Sequence, residues 1–173
     1  GSGEPVMLLH GGLANANYWG HQVRFLMRTH RVIVMDSRDQ GRSGDSPDKI
    51  NYEKMADDQA ALLDLLKVGP VNVVGWSDGG IEALLLGMRH PEKMKKIVSM
   101  AANLKPEGLQ PEAVKWIHES VAELKKTAAT DPQAKRNLKV MEMMLTEPQI
   151  ELKALEKITA PTLILASDHD LIL

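Results

Sequence analysis

The chain has 173 residues, a formal net charge of −2, 43% hydrophobic and 25% charged residues, and no cysteine. Those values fit one globular domain and exclude a disulfide framework, a thiol nucleophile and a thiolate metal site; nothing in them suggests a basic surface for a polyanion. Three Trp, two Tyr and one Phe are too few for a base-stacking platform, and no apolar run is long enough to span a membrane.

In chain order, residues 5–9 are an unbroken apolar run between Glu4 and His10-Gly11-Gly12, which predicts a strand buried on both faces. Residues 17–29 read as a helix with Trp19, Val23, Leu26 and Met27 on one side. Residues 31–36 give the next buried strand, followed by the polar loop 36–47, DSRDQGRSGDSP, in which Arg38 is expected to pair with Asp39 or Asp45. Residues 51–67 predict a helix capped by Asn51, with Met55, Leu62, Leu65 and Leu66 on its apolar side. A strand over 71–76 then meets GWSDGG (75–80), and a helix follows to His90, closed by Pro91. Residues 96–101 are a fourth strand. From 103 to 148 the strand signal stops: helices are predicted over 111–126 and, with Asp131 as N-cap and Pro132 first, through Ala134, Leu138, Met141 and Leu145. A short helix over 151–157 leads to a fifth buried strand, 161–166, which ends in Ser167-Asp168-His169-Asp170.

Apolar strands alternating with helices predict an α/β fold, a mostly parallel sheet with helices on both faces. We expect a core formed by residues 1–102 and 149–173, with a helical cap inserted at 103–148. In such sheets the working groups collect at the carboxyl ends of the strands, where His10-Gly11-Gly12, Asp36-Ser37-Arg38 and Ser77-Asp78 all fall.

A Ser between glycines at a strand-to-helix turn has the form of a nucleophile elbow. A Ser hydroxyl also needs a base, and donors for the oxyanion. Backbone N–H groups of Gly12 and Asp78 are placed to be those donors. Asp170 or Asp168 is placed to orient a base imidazole; Asp170, clear of the strand end, is favoured. The base is either missing or lies beyond residue 173. None of the six His follows Asp170: His10 belongs to the loop after the first strand, His169 points away from the acid, and His118 reads as a packing or surface residue. Met143 and Met144 are candidates for an adaptable substrate pocket, with packing onto the core as the competing role.

HGG (10–12), DSRDQGRS (36–43), GWSDGG (75–80) and PTLILASDHD (161–170) together resemble the α/β-hydrolase superfamily. The resemblance implies Ser77 as nucleophile, Asp170 as triad acid, Gly12 and Asp78 amides as oxyanion hole, and the insert as cap. The elbow is also similar to that of valacyclovir-hydrolase-like α-amino-acid ester hydrolases. That likeness implies that the Asp78 side chain receives a substrate ammonium; capping the elbow helix is its alternative role. Members usually begin with an extra hairpin and end with a further strand and the catalytic His, so a chain truncated at both ends is expected, with the strands over 31–36 and 162–166 as sheet edges. The expected function is a cytoplasmic serine hydrolase that cleaves a small carboxylic ester, lactone or amide through an acyl-enzyme. No metal, cofactor, nucleic acid or membrane partner is expected, and the oligomeric state is left open. Without a His after the acid, activity of these residues alone is expected to be weak. The alternatives are a non-catalytic ligand- or partner-binding protein of the same fold, or a C–C hydrolase or perhydrolase.

Overall fold

The computed structural model describes residues 1–172. Five strands, β1 (Glu4–Leu9), β2 (His30–Val34), β3 (Val71–Trp76), β4 (Met94–Met100) and β5 (Thr162–Leu165), form one parallel sheet in the order β2-β1-β3-β4-β5. α1 (Gly20–Leu26) follows β1, α2 (Tyr52–Leu65) follows β2 and α3 (Asp78–Arg89) follows β3. Alternate side chains of β1 divide between two apolar layers, as the two-residue repeat of a strand requires. Met7 and Leu9 pack with α2 and α3, together with Val73 and Ile97; Val6 and Leu8 pack on the opposite face with Trp19, Val23 and Leu26.

The expected edges are the observed ones, β2 and β5. β5, predicted as buried, is exposed along its whole length, because among the described residues it pairs with β4 alone. The first predicted helix is instead a 3-10 turn, Ala16–Trp19, capped by Asn15 and continued by the shorter α1; Met27 lies beyond α1 and is exposed. In α2 the N-cap is Asn51, whose side chain accepts from Lys54 N–H. The buried stripe of α2 is Tyr52, Met55, Ala56, Gln59, Ala60 and Leu63; of the expected residues Met55 is buried and Leu62 packs partly buried on the core, whereas Leu66 is exposed and Leu65 is 78% exposed. Residues 152–157 form a 3-10 helix rather than an α-helix.

Between β4 and β5 lie α4 (Pro111–Thr127) and α5 (Pro132–Met144), the latter capped by Asp131 as predicted. They pack on each other through Ile117, Val121 and Met141. Lys135 and Lys139 of α5 pair with Asp45 at 2.8 and 2.6 Å, which ties this insert to the loop after β2. Gln110 N–H donates to Leu171 O at 2.8 Å, so the start of the insert meets the segment after β5.

Candidate active site

β3 ends at Trp76, and α3 begins at Asp78; Ser77 between them has φ 56° and ψ −121°. That region is sparsely populated by non-glycine residues and is typically strained by ~1–3 kcal/mol. Surrounding bonds hold it: Ser77 N–H donates to Met100 O at 2.8 Å, and Ser77 O accepts from Gly80 and Ile81 N–H at 2.8 and 3.1 Å. The flanking glycines are required by contact. A Cβ on Gly75 would lie 1.9 Å from Gly79 O, and one on Gly79 would lie 2.2 Å from Leu9 O. Strand and helix therefore meet backbone to backbone, and the nucleophile candidate stands on that joint.

The loop after β1 lies over the elbow. A Cβ on Gly12 would come 2.5 Å from Asp78 Oδ2 and 2.1 Å from Met144 Cε. His10 is fully buried: its Nε2 accepts from Ser37 N–H at 2.9 Å, and its Nδ1 donates to Gly11 O at 2.8 Å. That pairing fixes the neutral Nδ1–H tautomer, and burial lowers the imidazole pKa. His10 braces two loops and is not positioned as a base. Leu13 N–H donates to Gln40 Oε1 at 2.7 Å, whereas Gly12 N–H has no partner among the described residues.

Gly12, Ser77, Asp78 and Asp170 line one cavity of about 240 Å³. Its other walls come from Tyr52 and Trp76 of the core and from Ala113, Trp116, Ile117, Met144 and Glu147 of the insert. Asp168 is not at this cavity. Met143, expected beside Met144, is buried in the main core instead, because consecutive helical positions point about 100° apart. No histidine lines the cavity among the described residues: His118 is exposed at a neighbouring cleft, His169 is exposed, and His90 bonds Asp57 at 2.8 Å. Arg38 pairs with neither Asp39 nor Asp45; its guanidinium forks onto Asp58 of α2 at 2.6 and 2.8 Å. Asp45 is already held by the α5 lysines.

Asp78 is buried, and burial pushes its pKa up to about 7, partly offset by the neighbouring Tyr52 phenol. Its Oδ2, the oxygen on the Gly12 side, has no hydrogen-bond partner among the described residues. One turn later Glu82 is fully buried and accepts from Gln59 Nε2 and from Ser37 Oγ, the latter at 3.2 and 3.3 Å. Burial, reinforced by Asp78, pushes its pKa up to about 8. Sequence reasoning missed this second carboxyl, although a Glu four residues after Asp78, within an otherwise apolar helical run, marks the same helix face. Tyr52, Gln59 and Glu147 were also missed.

The family model described as alpha/beta hydrolase fold matches residues 4–151. A protein of Caulobacter vibrioides (strain NA1000 / CB15N) named "Putative carbamate hydrolase RutD" is 33% identical over 99 residues, which cover 56% of this chain and 37% of the relative. A 2-hydroxymuconate semialdehyde hydrolase of Pseudomonas sp. (strain CF600) is 32% identical over 106 residues, covering 59% of this chain and 38% of the relative. The matched stretch thus spans little more than a third of these relatives. The solved structure of the esterase EaEST from Exiguobacterium antarcticum superposes with a TM-score of 0.77 at 25% identity, covering 95% of this chain and 73% of that one.

Proposed function

The chain belongs to the alpha/beta hydrolase fold family, and from that premise we propose a serine hydrolase that cleaves a small carboxylic ester, lactone or amide through an acyl-enzyme on Ser77. The observation that carries this reading is the convergence of Ser77, Gly12, Asp78 and Asp170 on one cavity, with the Ser on a strained elbow. In the proposed reaction Ser77 Oγ attacks the acyl carbonyl. The negative charge that develops on its oxygen is held by the N–H groups of Gly12 and Asp78. The leaving alcohol or amine takes a proton, and water then releases the acid from Ser77. A general base must take the Ser77 proton and deliver it to the leaving group; Asp170 is the proposed group that would orient an imidazole in that role. Since no His among the described residues lines the cavity, residues 1–173 alone are expected to react slowly at Ser77. The insert acts as the cap, and Met144 forms part of the substrate wall.

The finer reading assigns the Asp78 side chain to a substrate ammonium. Its unpartnered Oδ2 supports this: an ammonium N–H would satisfy that oxygen and draw the carboxyl into its ionised form. A second reading, hydrolysis of a C–C bond, is favoured by the relative named 2-hydroxymuconate semialdehyde hydrolase.

A fluorophosphonate probe on the full-length protein tests the main reading. Labelling that disappears in Ser77→Ala is expected, and a folded full-length protein that resists the probe would sink it. Turnover of 2-hydroxymuconate semialdehyde with no turnover of simple esters would transfer the assignment to C–C hydrolysis.

A further inference from the structure

The two N–H groups assigned to the oxyanion belong to different segments: Asp78 opens α3, and Gly12 lies in the loop after β1. The loop after β2 holds the Gly12 segment at three points. Ser37 N–H donates to His10 Nε2 at 2.9 Å, Leu13 N–H donates to Gln40 Oε1 at 2.7 Å, and Ala16 N–H donates to Asp36 Oδ1 at 2.6 Å. Gly12 therefore sits between two tethered neighbours: Gly11, whose carbonyl accepts from His10 Nδ1–H at 2.8 Å, and Leu13. One side chain ties the same loop to α3. Ser37 Oγ straddles the carboxyl oxygens of Glu82 at 3.2 and 3.3 Å, and among the described residues this is the one hydrogen-bonding contact between residues 36–47 and α3.

Glu82 stands one helical turn after Asp78, and Gln59 Nε2 of α2 donates to its Oε2. His10, Ser37, Gln59 and Glu82 are all at most 1% exposed, so water does not compete for these bonds. Packing alone does not call for a carboxyl at this position. Its neighbours on α3, Ile81, Ala83, Leu84, Leu85 and Leu86, are apolar, and burying an acid costs stability.

We propose that Glu82 and Ser37 are positioning residues that set the separation of the two oxyanion donors. The brace rests on the serine-hydrolase reading of the site and deepens it. It runs from Asp78 along one turn of α3 to Glu82, across to Ser37, on to His10 and so to Gly11, beside Gly12. Oxyanion donors are effective when they are aimed before the charge develops. Loosening the brace leaves both N–H groups in place and lets their spacing vary. The loss then falls on the transition state rather than on substrate binding, and lowers kcat more than it changes KM.

The test uses the full-length protein, with p-nitrophenyl acetate turnover and the rate of fluorophosphonate labelling as readouts. Glu82→Met removes the acceptor at similar volume, and Ser37→Ala removes the donor from the loop side while keeping the backbone bond to His10. Each is expected to lower kcat and the labelling rate roughly tenfold with KM little changed. The double variant should fall no further than the single ones, because both break one contact. Glu82→Gln, which keeps a polar partner for Ser37 and Gln59, should regain most of the rate. If Glu82→Met does not fold, Ser37→Ala carries the test. A purely structural Glu82 would shift the melting temperature and leave kcat of the folded variants unmoved, which overturns the proposal; so would losses that simply add in the double variant. Wild-type protein that resists the probe would instead overturn the serine reading, and the brace with it.

Discussion

Replacing Glu82 by Gln should stabilise the protein, and more so as pH rises. Glu82 is fully buried on α3, with only the neutral donors Gln59 and Ser37 on its carboxyl and Asp78 one turn away. Burial raises its pKa from an ordinary 4.5 to about 8. Between those values the folded state keeps a proton that the unfolded chain has released, so stability falls as pH climbs through the window. At pH 7 the gap from 4.5 is roughly 2.5 pH units, and at about 1.4 kcal/mol per unit that is about 3 kcal/mol. Near pH 5 the same reckoning leaves under about 1 kcal/mol. Gln keeps an acceptor for Gln59 and Ser37 and removes the titration. Urea and thermal melts of wild type and Glu82→Gln, run near pH 5, 7 and 8.5, measure the difference. At roughly 2–4 °C per kcal/mol for a chain of this size, the gain near pH 7 is about 6–12 °C, shrinking to a couple of degrees near pH 5. A difference that is constant with pH, or a loss that grows with it, would refute the idea that Glu82 stays neutral in the folded state.

Gly12→Ala should preserve the fold and lower kcat at least tenfold. The flexible end of Met144 can give way to the new methyl, but the Asp78 carboxyl, at 2.5 Å, must shift with the oxyanion site beside it; unchanged kcat would show that Gly12 is not at that site. With an amino-acid ester, kcat/KM should rise with pH through about 7 as the raised Asp78 carboxyl ionises, until the substrate amine loses its own proton. Asp78→Asn should flatten that limb, and a limb surviving the substitution would assign it to another group.

Much of the frame was legible because its signals are local. Apolar runs of strand length gave all five strands, and Asn51 and Asp131 cap the helices that they precede in sequence. The contact glycines of GWSDGG were also readable, since a sharp strand-to-helix turn forces Gly75 and Gly79 together wherever it occurs. What was lost depends on three-dimensional neighbours. Nothing near Arg38 in the chain indicates Asp58, which comes beside it only when α2 packs on the sheet. Met143 and Met144 are equivalent in sequence and divide between core and cavity by helix rotation alone. The carboxyl cluster of Asp78, Glu82 and Glu147 around Tyr52 is assembled from two helices and the end of the insert, so no single window of sequence contains it.

The backbone-to-backbone joint at Gly75 and Gly79 bears on how such a protein can change over generations. A side chain at either position would collide with main-chain atoms, and Ser77 is held by main-chain hydrogen bonds, so substitutions in this joint have almost no viable direction. The opposite wall is built from side chains of the insert: Ala113, Trp116, Ile117, Met144 and Glu147. None of these side chains is among the bonds that hold Ser77. On the proposed function, reactivity and selectivity would be inherited on separate parts of one chain, and new substrates would be explored by altering the insert while the elbow stays fixed.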